Sequence, residues 1–151
     1  MLTLEYAAGV DLPLAAVVRL YDAVGWSAYT DSPENLAAGL AGSTRLAVAW
    51  EDGREDRRLV GLARVVSDGH TVCYLQDVLV DPRHQRTGLG RRLVELVLAP
   101  FAHVRQKVLL TDTEPGQKAF YESLGYRQAG GDLPEDDDGG LPLRAFVRFD
   151  G

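Results

Sequence analysis

Residues 71–98 read TVCYLQDVLVDPRHQRTGLGRRLVELVL, and the hydrophobic pattern changes halfway along this stretch. Up to Val80 the residues are mostly β-branched, aromatic or apolar, which predicts a β-strand. Asp81-Pro82 ends the strand, because proline has no N–H to donate and restricts the residue before it. Apolar residues then recur at helical spacing, at Leu89, Leu93, Leu96 and Val97. The stretch therefore predicts a strand, a loop with two glycines and a helix.

The loop before that helix, Gln85-Arg86-Thr87-Gly88-Leu89-Gly90, suits a phosphate or pyrophosphate group. The first N–H groups of a helix have no partner inside the helix, and the helix dipole adds partial positive charge at the same end. The two glycines lack the Cβ atoms that keep a ligand away from the main chain. On the glycines alone, an ordinary strand-to-helix turn is an equal alternative.

The charge of this segment contrasts with that of the whole chain. Residues 81–92 contain four arginines and one aspartate, a local charge of +3, whereas the chain carries a net charge of −6. A small basic patch on an acidic chain favours a small phosphorylated ligand over a nucleic acid, which needs a broad basic face. The NTPase P-loop is excluded because no Gly-Lys-Ser/Thr is present, and the Rossmann motif because Leu93 stands where a third glycine is needed.

The composition is that of an ordinary globular chain. Its 151 residues, 46% of them hydrophobic, fit one domain, residues 1–151, with its own core. The single cysteine, Cys73, alternates within an apolar strand, so we expect a buried and unreactive thiol. No histidine spacing resembles a metal site, and no signal peptide or membrane-spanning run is present. We therefore expect a cytoplasmic protein without a metal that binds neither nucleic acid nor membranes.

The remaining pattern predicts an α/β architecture. Asp11 is interpreted as the N-cap of the first helix, and the run Glu135-Asp136-Asp137-Asp138 as part of a solvated surface loop. Predicted helices cover residues 11–24, 31–42 and 117–124, and predicted strands cover residues 2–6, 45–50, 59–67, 107–111, 126–129 and 143–149.

Two segments of the chain resemble the GNAT superfamily of N-acetyltransferases. Gln85-x-x-Gly88-x-Gly90, after the Val-Leu-Val-Asp-Pro strand end, resembles the acetyl-CoA motif Gln/Arg-x-x-Gly-x-Gly/Ala. GQKAFYESLGYR, residues 116–127, resembles the family segment Ala-x-x-Phe-Tyr-x-x-x-Gly-Phe, although here Ala119 directly precedes Phe120 and Tyr126 replaces the closing aromatic residue. The resemblance covers residues 59–127 well and the N-terminal third loosely.

The resemblance implies a small, single-domain acetyltransferase of the bacterial type. Its fold would be α/β (α+β), with a mixed, mostly antiparallel sheet of about six to seven strands flanked by helices and splayed between strands 4 and 5. Acetyl-CoA would lie in the splay, with its pantetheine arm on the backbone of the central strand and its pyrophosphate on the loop amides, and coenzyme A would be the product. The implied cofactor-binding residues are Val78, Leu79, Val80, Gln85, Arg86, Thr87, Gly88, Leu89, Gly90 and Arg91.

Acetyl transfer to an amine needs a proton removed from the nucleophile and a proton supplied to the leaving thiolate. A thiol has a pKa of about 8.5 and a tyrosine a pKa of about 10, so a tyrosine can supply that proton. The resemblance assigns this general acid to Tyr121; packing beside the cofactor is the alternative role. Asp77 is the first candidate for the base, because burial raises the pKa of a carboxyl group. Binding of the acceptor's ammonium group, or capping of a backbone bulge, are the alternatives for Asp77.

Aromatic residues between the first two helices are candidates for the acceptor site. Trp26 and Tyr29 either pack against the sheet or wall the acceptor pocket, since aromatic side chains give large contact area at modest entropic cost. Tyr74 and Gln76, expected beside Asp77, complete the substrate-binding set. An aromatic wall and an acidic floor suit an amphiphilic amine such as an arylalkylamine or a polyamine.

Three functions stay open at this point. The favoured one is transfer of an acetyl group from acetyl-CoA to a primary amine of a small molecule by direct attack in a ternary complex. The alternatives are a non-catalytic acyl-CoA-binding module and an acetyltransferase acting on a protein or peptide amine. A homodimer is compatible with the pattern, with residues 143–149 as a candidate edge strand.

Overall fold

The computed structural model of the protein describes residues 1–53, 56–130 and 143–150. Its helices are α1 (Leu14–Ala23), α2 (Ser27–Thr30), α3 (Pro33–Ala41), α4 (Leu89–Leu98) and α5 (Pro115–Ser123). Its strands are β1 (Leu2–Ala7), β2 (Arg45–Asp52), β3 (Arg57–Ser67), β4 (Val72–Val80), β5 (Gln106–Asp112), β6 (Arg127–Gln128) and β7 (Leu143–Phe149). The acidic run at residues 135–138 lies outside the described residues. None of the described helices is long and apolar enough to cross a membrane.

The described strands form a mixed sheet in the order β1-β2-β3-β4-β5-β7-β6. The β1–β2, β2–β3, β5–β7 and β6–β7 pairs are antiparallel, and the β4–β5 pair is parallel. The parallel ladder joins residues 72–75 to residues 106–109, although β4 continues to Val80 and β5 to Asp112. The mixed, mostly antiparallel sheet is therefore confirmed. The ladder between β4 and β5 is short, and these are the two strands that were expected to splay apart.

The chain divides into two compact units, each built from two separate segments. The first unit is Met1–Val66 with Asp77–Pro100, and the second is Ser67–Gln76 with Phe101–Gly151. Strand β4 contributes its first half to the second unit and its second half to the first. The single domain expected for residues 1–151 stays a prediction.

In the first unit, the sheet is covered on both faces. Helices α1 and α3 bury their apolar stripes against one face, in a core of Val17, Leu20, Tyr21, Leu36, Leu40, Leu46, Val48, Trp50, Leu59, Leu62 and Leu79. Helix α4 covers the other face at Gly61, where an added Cβ would lie 2.7 Å from Leu93 Cδ1 and 3.2 Å from the Ala49 Cβ. The lack of a side chain at residue 61 lets α4 approach the sheet closely.

In the second unit, α5 contacts β6, and its Tyr121 ring lies 6.1 Å from the Phe146 ring on β7. Lys107 is fully buried, and its Nζ donates to the Val104 carbonyl at 2.6 Å and pairs with Asp150 Oδ2 at 2.6 Å. Strand β7 lies between β5 and β6. The expectation that residues 143–149 form an edge strand is therefore wrong, because the two-residue β6 occupies that position; the homodimer itself stays a prediction.

Two expectations for the N-terminal helices are also corrected. Asp11 is not an N-cap: it ends a 3-10 turn at Gly9–Asp11, and α1 begins after Pro13, whose φ of −60° suits the entry to a helix. The connection between the first two predicted helices contains the short helix α2, so Tyr29 lies in a helical turn. Strands β2, β3 and β5 are each longer than predicted.

Candidate active site

The loop between β4 and α4 presents backbone donors at a helix start. Gly88, the N-cap residue of α4, has a φ of +84°, in the left-handed region that favours glycine. The backbone bond from Arg92 N–H to the Gly88 carbonyl, 3.2 Å, opens the helix. The N–H groups of Leu89 and Gly90, in the first turn of the helix, are therefore placed to donate to an anion.

The side chains of this loop have a different role from its backbone amides. Gln85 Nε2 donates to the Val80 carbonyl at 3.2 Å, and Thr87 Oγ1 donates to the His84 carbonyl at 2.5 Å. The Leu89 side chain is buried in the core, so only its backbone can reach a ligand. Arg91 Nε pairs with Glu95 one turn along the helix. The set expected to bind the cofactor thus separates into backbone amides at the helix start and side chains that bond within the loop and the helix.

Asp81 anchors the start of the loop, a role that the sequence reasoning missed. Its buried carboxylate accepts from the Arg83 N–H at 3.0 Å and from the guanidinium groups of Arg83 and Arg58, each at 3.4 Å. Burial alone would raise the pKa of Asp81, but these donors outweigh burial and hold the pKa below its ordinary value. The sequence feature that could have indicated this anchoring role is the Asp-Pro step directly after an apolar strand.

Asp77 lies at the centre of a buried polar cluster, which we call the Asp77 cluster (Asp77, Arg64, Tyr21 and Tyr29). Its Oδ2 accepts from Arg64 Nε at 2.6 Å and from Tyr21 Oη at 2.8 Å, and its Oδ1 accepts from Tyr29 Oη at 3.3 Å. The side chain of Asp77 is only 1% exposed. A buried carboxylate requires such partners, and they tie α1, α2, β3 and β4 together.

The charges of the Asp77 cluster stabilise each other. Burial opposes the charge of Arg64, but Asp77 outweighs burial and raises the pKa of Arg64. Burial, and then the neighbouring carboxylate, raise the pKa of Tyr21, so Tyr21 stays protonated and donates. Sequence reasoning expected burial to make Asp77 a base but missed Arg64, a lone charge within the apolar run of β3. The catalytic role of Asp77 stays a prediction.

Alternation along β4 separates Asp77 from two residues expected beside it. Cys73, Leu75, Asp77 and Leu79 are buried, whereas the residues between them are half-buried. Because successive side chains of a strand point to opposite faces, Tyr74 and Gln76 lie on the face opposite to Asp77. The expectation that they lie beside Asp77 is therefore wrong. They share their face with Val78 and Val80.

Trp26 and Tyr29 are brought together with the buried ring of Tyr21. The ring centroids lie 6.0 Å apart for Tyr21 and Trp26, 5.3 Å for Tyr21 and Tyr29, and 5.9 Å for Trp26 and Tyr29. Trp26 and Tyr29 are half-buried and pack against the core of the first unit. Trp26 and Tyr29 therefore pack against the core, which was one of their two expected roles. Their exposed surfaces remain available to form a wall of an acceptor pocket.

Tyr121 lies in the second unit, where it is 7% exposed. Its ring packs 4.9 Å from Phe120, 6.0 Å from Tyr126 and 6.1 Å from Phe146. The role of Tyr121 as general acid stays a prediction. Cys73, in the same unit, is fully buried, and burial raises the pKa of its thiol to about 11. A thiol with that pKa is protonated at neutral pH, as expected of an unreactive cysteine.

Residues 16–140 match the acetyltransferase (GNAT) domain family. This match covers most of the 151 residues. The chain therefore belongs to the GNAT family.

Individual relatives agree with this assignment. The chain is 32% identical over 130 residues to histone acetyltransferase TAP1 of Glycine max, a match that covers 80% of this chain and 54% of that protein. The chain thus spans about half the length of this relative. A GNAT-family acetyltransferase from Streptococcus pneumoniae TIGR4 superposes with a TM-score of 0.69 at 34% identity, covering 83% of this chain and 86% of the other. The ribosomal-protein-S18-alanine N-acetyltransferase from Escherichia coli shares the fold, with a TM-score of 0.69 at 23% identity over 97% of this chain and 91% of the other.

Proposed function

We propose that this protein transfers the acetyl group of acetyl-CoA to a primary amine of a small molecule. The observation that carries the proposal is the start of α4 in a chain of the GNAT family. There the left-handed Gly88 ends the loop after β4 and places the first amides of α4, those of Leu89 and Gly90, at the start of the helix. An anion at that place is favoured by the amides and by the helix dipole.

In this proposal the cofactor uses mainly backbone atoms. The pyrophosphate accepts from the amides of residues 89–91, and the side chains of Arg86 and Arg91 add positive charge. The pantetheine arm extends along the backbone of residues 78–80. The carbonyl of Val80 already accepts from Gln85, and its second lone pair is the one left for the cofactor. Gln85 is therefore proposed to position the loop rather than to bind phosphate through its side chain.

The transfer follows from the chemistry of a thioester. The neutral amine nitrogen attacks the carbonyl carbon, the new C–N bond forms, and the C–S bond breaks. The nitrogen loses one proton, and the leaving thiolate gains one. We assign the second proton to Tyr121, since a phenol and a thiol have pKa values close enough for the exchange.

Asp77 belongs to the acceptor side of the site in this proposal. Its pairing with Arg64 at 2.6 Å stabilises the carboxylate charge. A proton can reach Oδ1 through the Tyr29 hydroxyl, which donates to it at 3.3 Å. Tyr29 and Trp26 form the proposed wall of the acceptor site.

An amine on a protein or peptide is the second candidate acceptor. The supporting observation is the name of the Glycine max relative, a histone acetyltransferase, at 32% identity over 80% of this chain. The net charge of −6 favours a basic peptide over a nucleic acid as such a partner.

Thiol release from acetyl-CoA, measured against a panel of acceptors, tests this function. The panel contains arylalkylamines, polyamines, amino acids, aminoglycosides and short basic peptides. Turnover with one of the small-molecule classes is expected, and turnover with peptides alone would favour the second candidate. Acetyl-CoA binding without thiol release in the whole panel contradicts the proposal in favour of a binding module.

The assignment of Tyr121 has its own test. The Tyr121→Phe substitution keeps the ring and removes the hydroxyl, so kcat is expected to fall at least tenfold with little change in the Kd of acetyl-CoA. The matched control is Tyr126→Phe, which removes a buried hydroxyl from the ring beside it. An equal kcat for the Tyr121→Phe variant and the unsubstituted protein removes Tyr121 from the mechanism.

A further inference from the structure

A cavity of about 370 Å³ lies where β1 ends and β2 begins. It is formed within the first unit, and its volume falls toward the lower end of the range for small-molecule sites. Of the ten described residues that line it, Arg45 is the only one that carries a charge, and most of the others are small or aliphatic. The cavity therefore combines one positive charge with an apolar surround.

The guanidinium of Arg45 has no acceptor in the part of the chain that the structure describes. It lies over the ring of Tyr6, which also lines the cavity, with 4.9 Å from its central carbon to the ring centroid. Its Nε is shielded from solvent and has no hydrogen-bond partner. The shielding does not extend to Nη1 and Nη2, so these two nitrogens keep their donors open to a ligand.

The other arginines of the first unit that are not exposed have ionic partners. Among the described residues these are Arg58, which pairs with Asp81, and Arg64, which pairs with Asp77. A shielded donor without an acceptor is unfavourable for folding, so an ion pair or hydrogen bond does not explain the position of Arg45. A ligand that accepts from its terminal nitrogens does explain it.

The Tyr6 ring that carries this guanidinium is itself held in place. Its Oη donates to the Leu96 carbonyl at 2.8 Å, in the last turn of α4. Gly88 caps the opposite end of that helix. Eight residues of α-helix separate the two positions by about 12 Å along the axis. The cavity is therefore a different site from the proposed cofactor loop.

The charge of the cavity decides which head group fits. A guanidinium binds a carboxylate through two parallel N–H···O bonds, a geometry that the open Nη1 and Nη2 of Arg45 can offer. A phosphate monoester carries about 1.5–2 negative charges at neutral pH, more than the single charge of Arg45 balances. A monocarboxylate is therefore the anion that this arginine pairs with completely.

The apolar surface continues beyond this cavity. A second cavity, of about 420 Å³, is lined by apolar residues and shares Gly9, Val10 and Ala41 with the first, so the two adjoin. Val10 is 76% exposed, and Leu14, in the lining of the second cavity, is 38% exposed. A hydrocarbon chain that covers these side chains removes apolar surface from water.

We propose that the two cavities together bind an aliphatic monocarboxylate, with its carboxylate on Arg45 and its hydrocarbon chain over Val10. The carboxylate accepts from Nη1 and Nη2, and the chain extends from the first cavity into the second. This binding does not depend on the proposed acetyltransferase function, and it is measured without acetyl-CoA.

Titration with octanoate, followed through the backbone amide resonances, tests the head group. A saturable shift is expected at residues 7–10 and 43–46, at concentrations below those at which octanoate forms micelles. Octanamide has the same length and no charge, so its Kd should be about tenfold higher or more, the loss of hydrogen bonds between charged groups. Octyl phosphate should bind more weakly than octanoate.

Two arginine substitutions make a matched pair. Arg45→Gln removes the proposed partner of the carboxylate. Arg57→Gln removes another arginine of the first unit that stacks over an aromatic ring, that of Trp50, and that lines neither cavity. The Kd of octanoate should rise to that of octanamide in Arg45→Gln and stay unchanged in Arg57→Gln. Equal urea midpoints show that both variants are folded; if Arg45→Gln unfolds, the comparison of octanoate with octanamide in the unsubstituted protein decides.

The hydrocarbon part has a separate test. Octanoate should bind at least tenfold more tightly than butanoate, because four more methylene groups leave water. Val10→Ser should reduce this difference. Val66→Ser, at another exposed valine of the first unit that lines neither cavity, should preserve it.

Four results would contradict the carboxylate site: no saturable shift with octanoate, equal Kd values for octanoate and octanamide, tighter binding of octyl phosphate, or an unchanged octanoate Kd in Arg45→Gln. Shifts confined to residues 88–90 would place the carboxylate at the start of α4 and overturn the proposal as well. Equal Kd values for butanoate and octanoate would contradict the path of the chain over Val10.

Discussion

At the scale of single residues, the backbone conformation of Gly88 determines the course of the loop before α4. Its φ of +84° costs an L-residue about 1–2 kcal/mol. We expect Gly88→Ala to lower the free energy of unfolding by about that amount and to raise the Kd of acetyl-CoA at least fivefold, because the chain turns differently before the amides proposed to bind the pyrophosphate. Urea unfolding and calorimetric titration measure the two effects.

Gly69 provides the matched control for Gly88. It has a φ of +79° in the turn before β4, and neither glycine has an atom within 4 Å of its added Cβ. Gly69→Ala is therefore expected to cost the same stability with no change in the Kd of acetyl-CoA. Equal Kd values for the two variants would mean that the loop does not bind the cofactor.

Asp77 is expected to matter for stability as well as for activity. Asp77→Ala leaves Arg64 buried without a counter-charge, which should lower the free energy of unfolding by about 3–5 kcal/mol. Adding Arg64→Met removes the orphaned charge and should restore a large part of the loss, as measured by urea unfolding. Unchanged stability in Asp77→Ala would contradict the structural role of the cluster and favour a purely catalytic one.

Gly88 and Asp77 also differ in how far the sequence could predict their surroundings. Gly88 is specified locally, by its place between an apolar strand and an apolar helical stripe. The pairing of Arg64 with Asp77 joins residues on two strands that are separated by a hairpin, and no local pattern encodes it. The arginine within the apolar run of β3 indicates that some buried partner exists, but it does not say which.

At the scale of elements, the position of α4 depends on Gly61. Gly61→Ala would place its Cβ 2.7 Å from Leu93 Cδ1 and 3.2 Å from the Ala49 Cβ, so the buried Leu93 side chain would have to shift. We expect a loss of about 1–3 kcal/mol in the free energy of unfolding, the range for overpacking a core. In a Leu93→Ala background the same substitution should cost much less, because the clashing atom is gone. Equal costs in both backgrounds, measured by urea unfolding, would show that the contact is not limiting.

Element types were more predictable than element ends. The change from strand to helical periodicity after Val80 predicted β4 and α4 correctly, because each pattern is continuous over its element. The start of α1 was misplaced, since a capping residue and a proline compete in the same few positions and the proline determines the start. Helix α2 was missed, because its four residues are fewer than the apolar repeat of a helix needs.

At the scale of the molecule, three aspartates make stability depend on acid pH. Asp68 has a lowered pKa chiefly because it accepts hydrogen bonds from Thr71. Asp81 and Asp150 also have lowered pKa values, because the arginines and lysine around them outweigh burial. Since the unfolded chain binds protons at higher pH than the folded one, these groups stabilise the fold above about pH 4 and lose that effect as the pH falls.

The expected result is a lower urea midpoint at pH 3 than at pH 6. Asp68→Asn should reduce this dependence, because it removes the carboxylate that accepts from Thr71, while Asp81 and Asp150 keep the remainder. A midpoint that does not change between pH 6 and pH 3 would contradict the lowered pKa values.

Much of the whole-molecule architecture followed from motif order, because the glycine loop and the Phe-Tyr helix fix the sequence of strands around them. The position of β7 inside the sheet did not, since the order of strands in space depends on contacts between distant segments. Alternation in the sequence of β4 determines which face carries Asp77. The partner of Asp77 on that face depends on the pairing across the sheet, which alternation does not predict.

The interleaved composition of the two units has a consequence for how the protein is made. The first unit needs residues 77–100 as well as residues 1–66, and the second needs residues 101–151 as well as residues 67–76. On a ribosome, residues 1–66 therefore emerge before the second half of β4 and helix α4, which complete the same unit, have been synthesised. The first unit becomes complete only when Pro100 has left the exit tunnel, so the face of β2 and β3 that α4 covers stays uncovered until then.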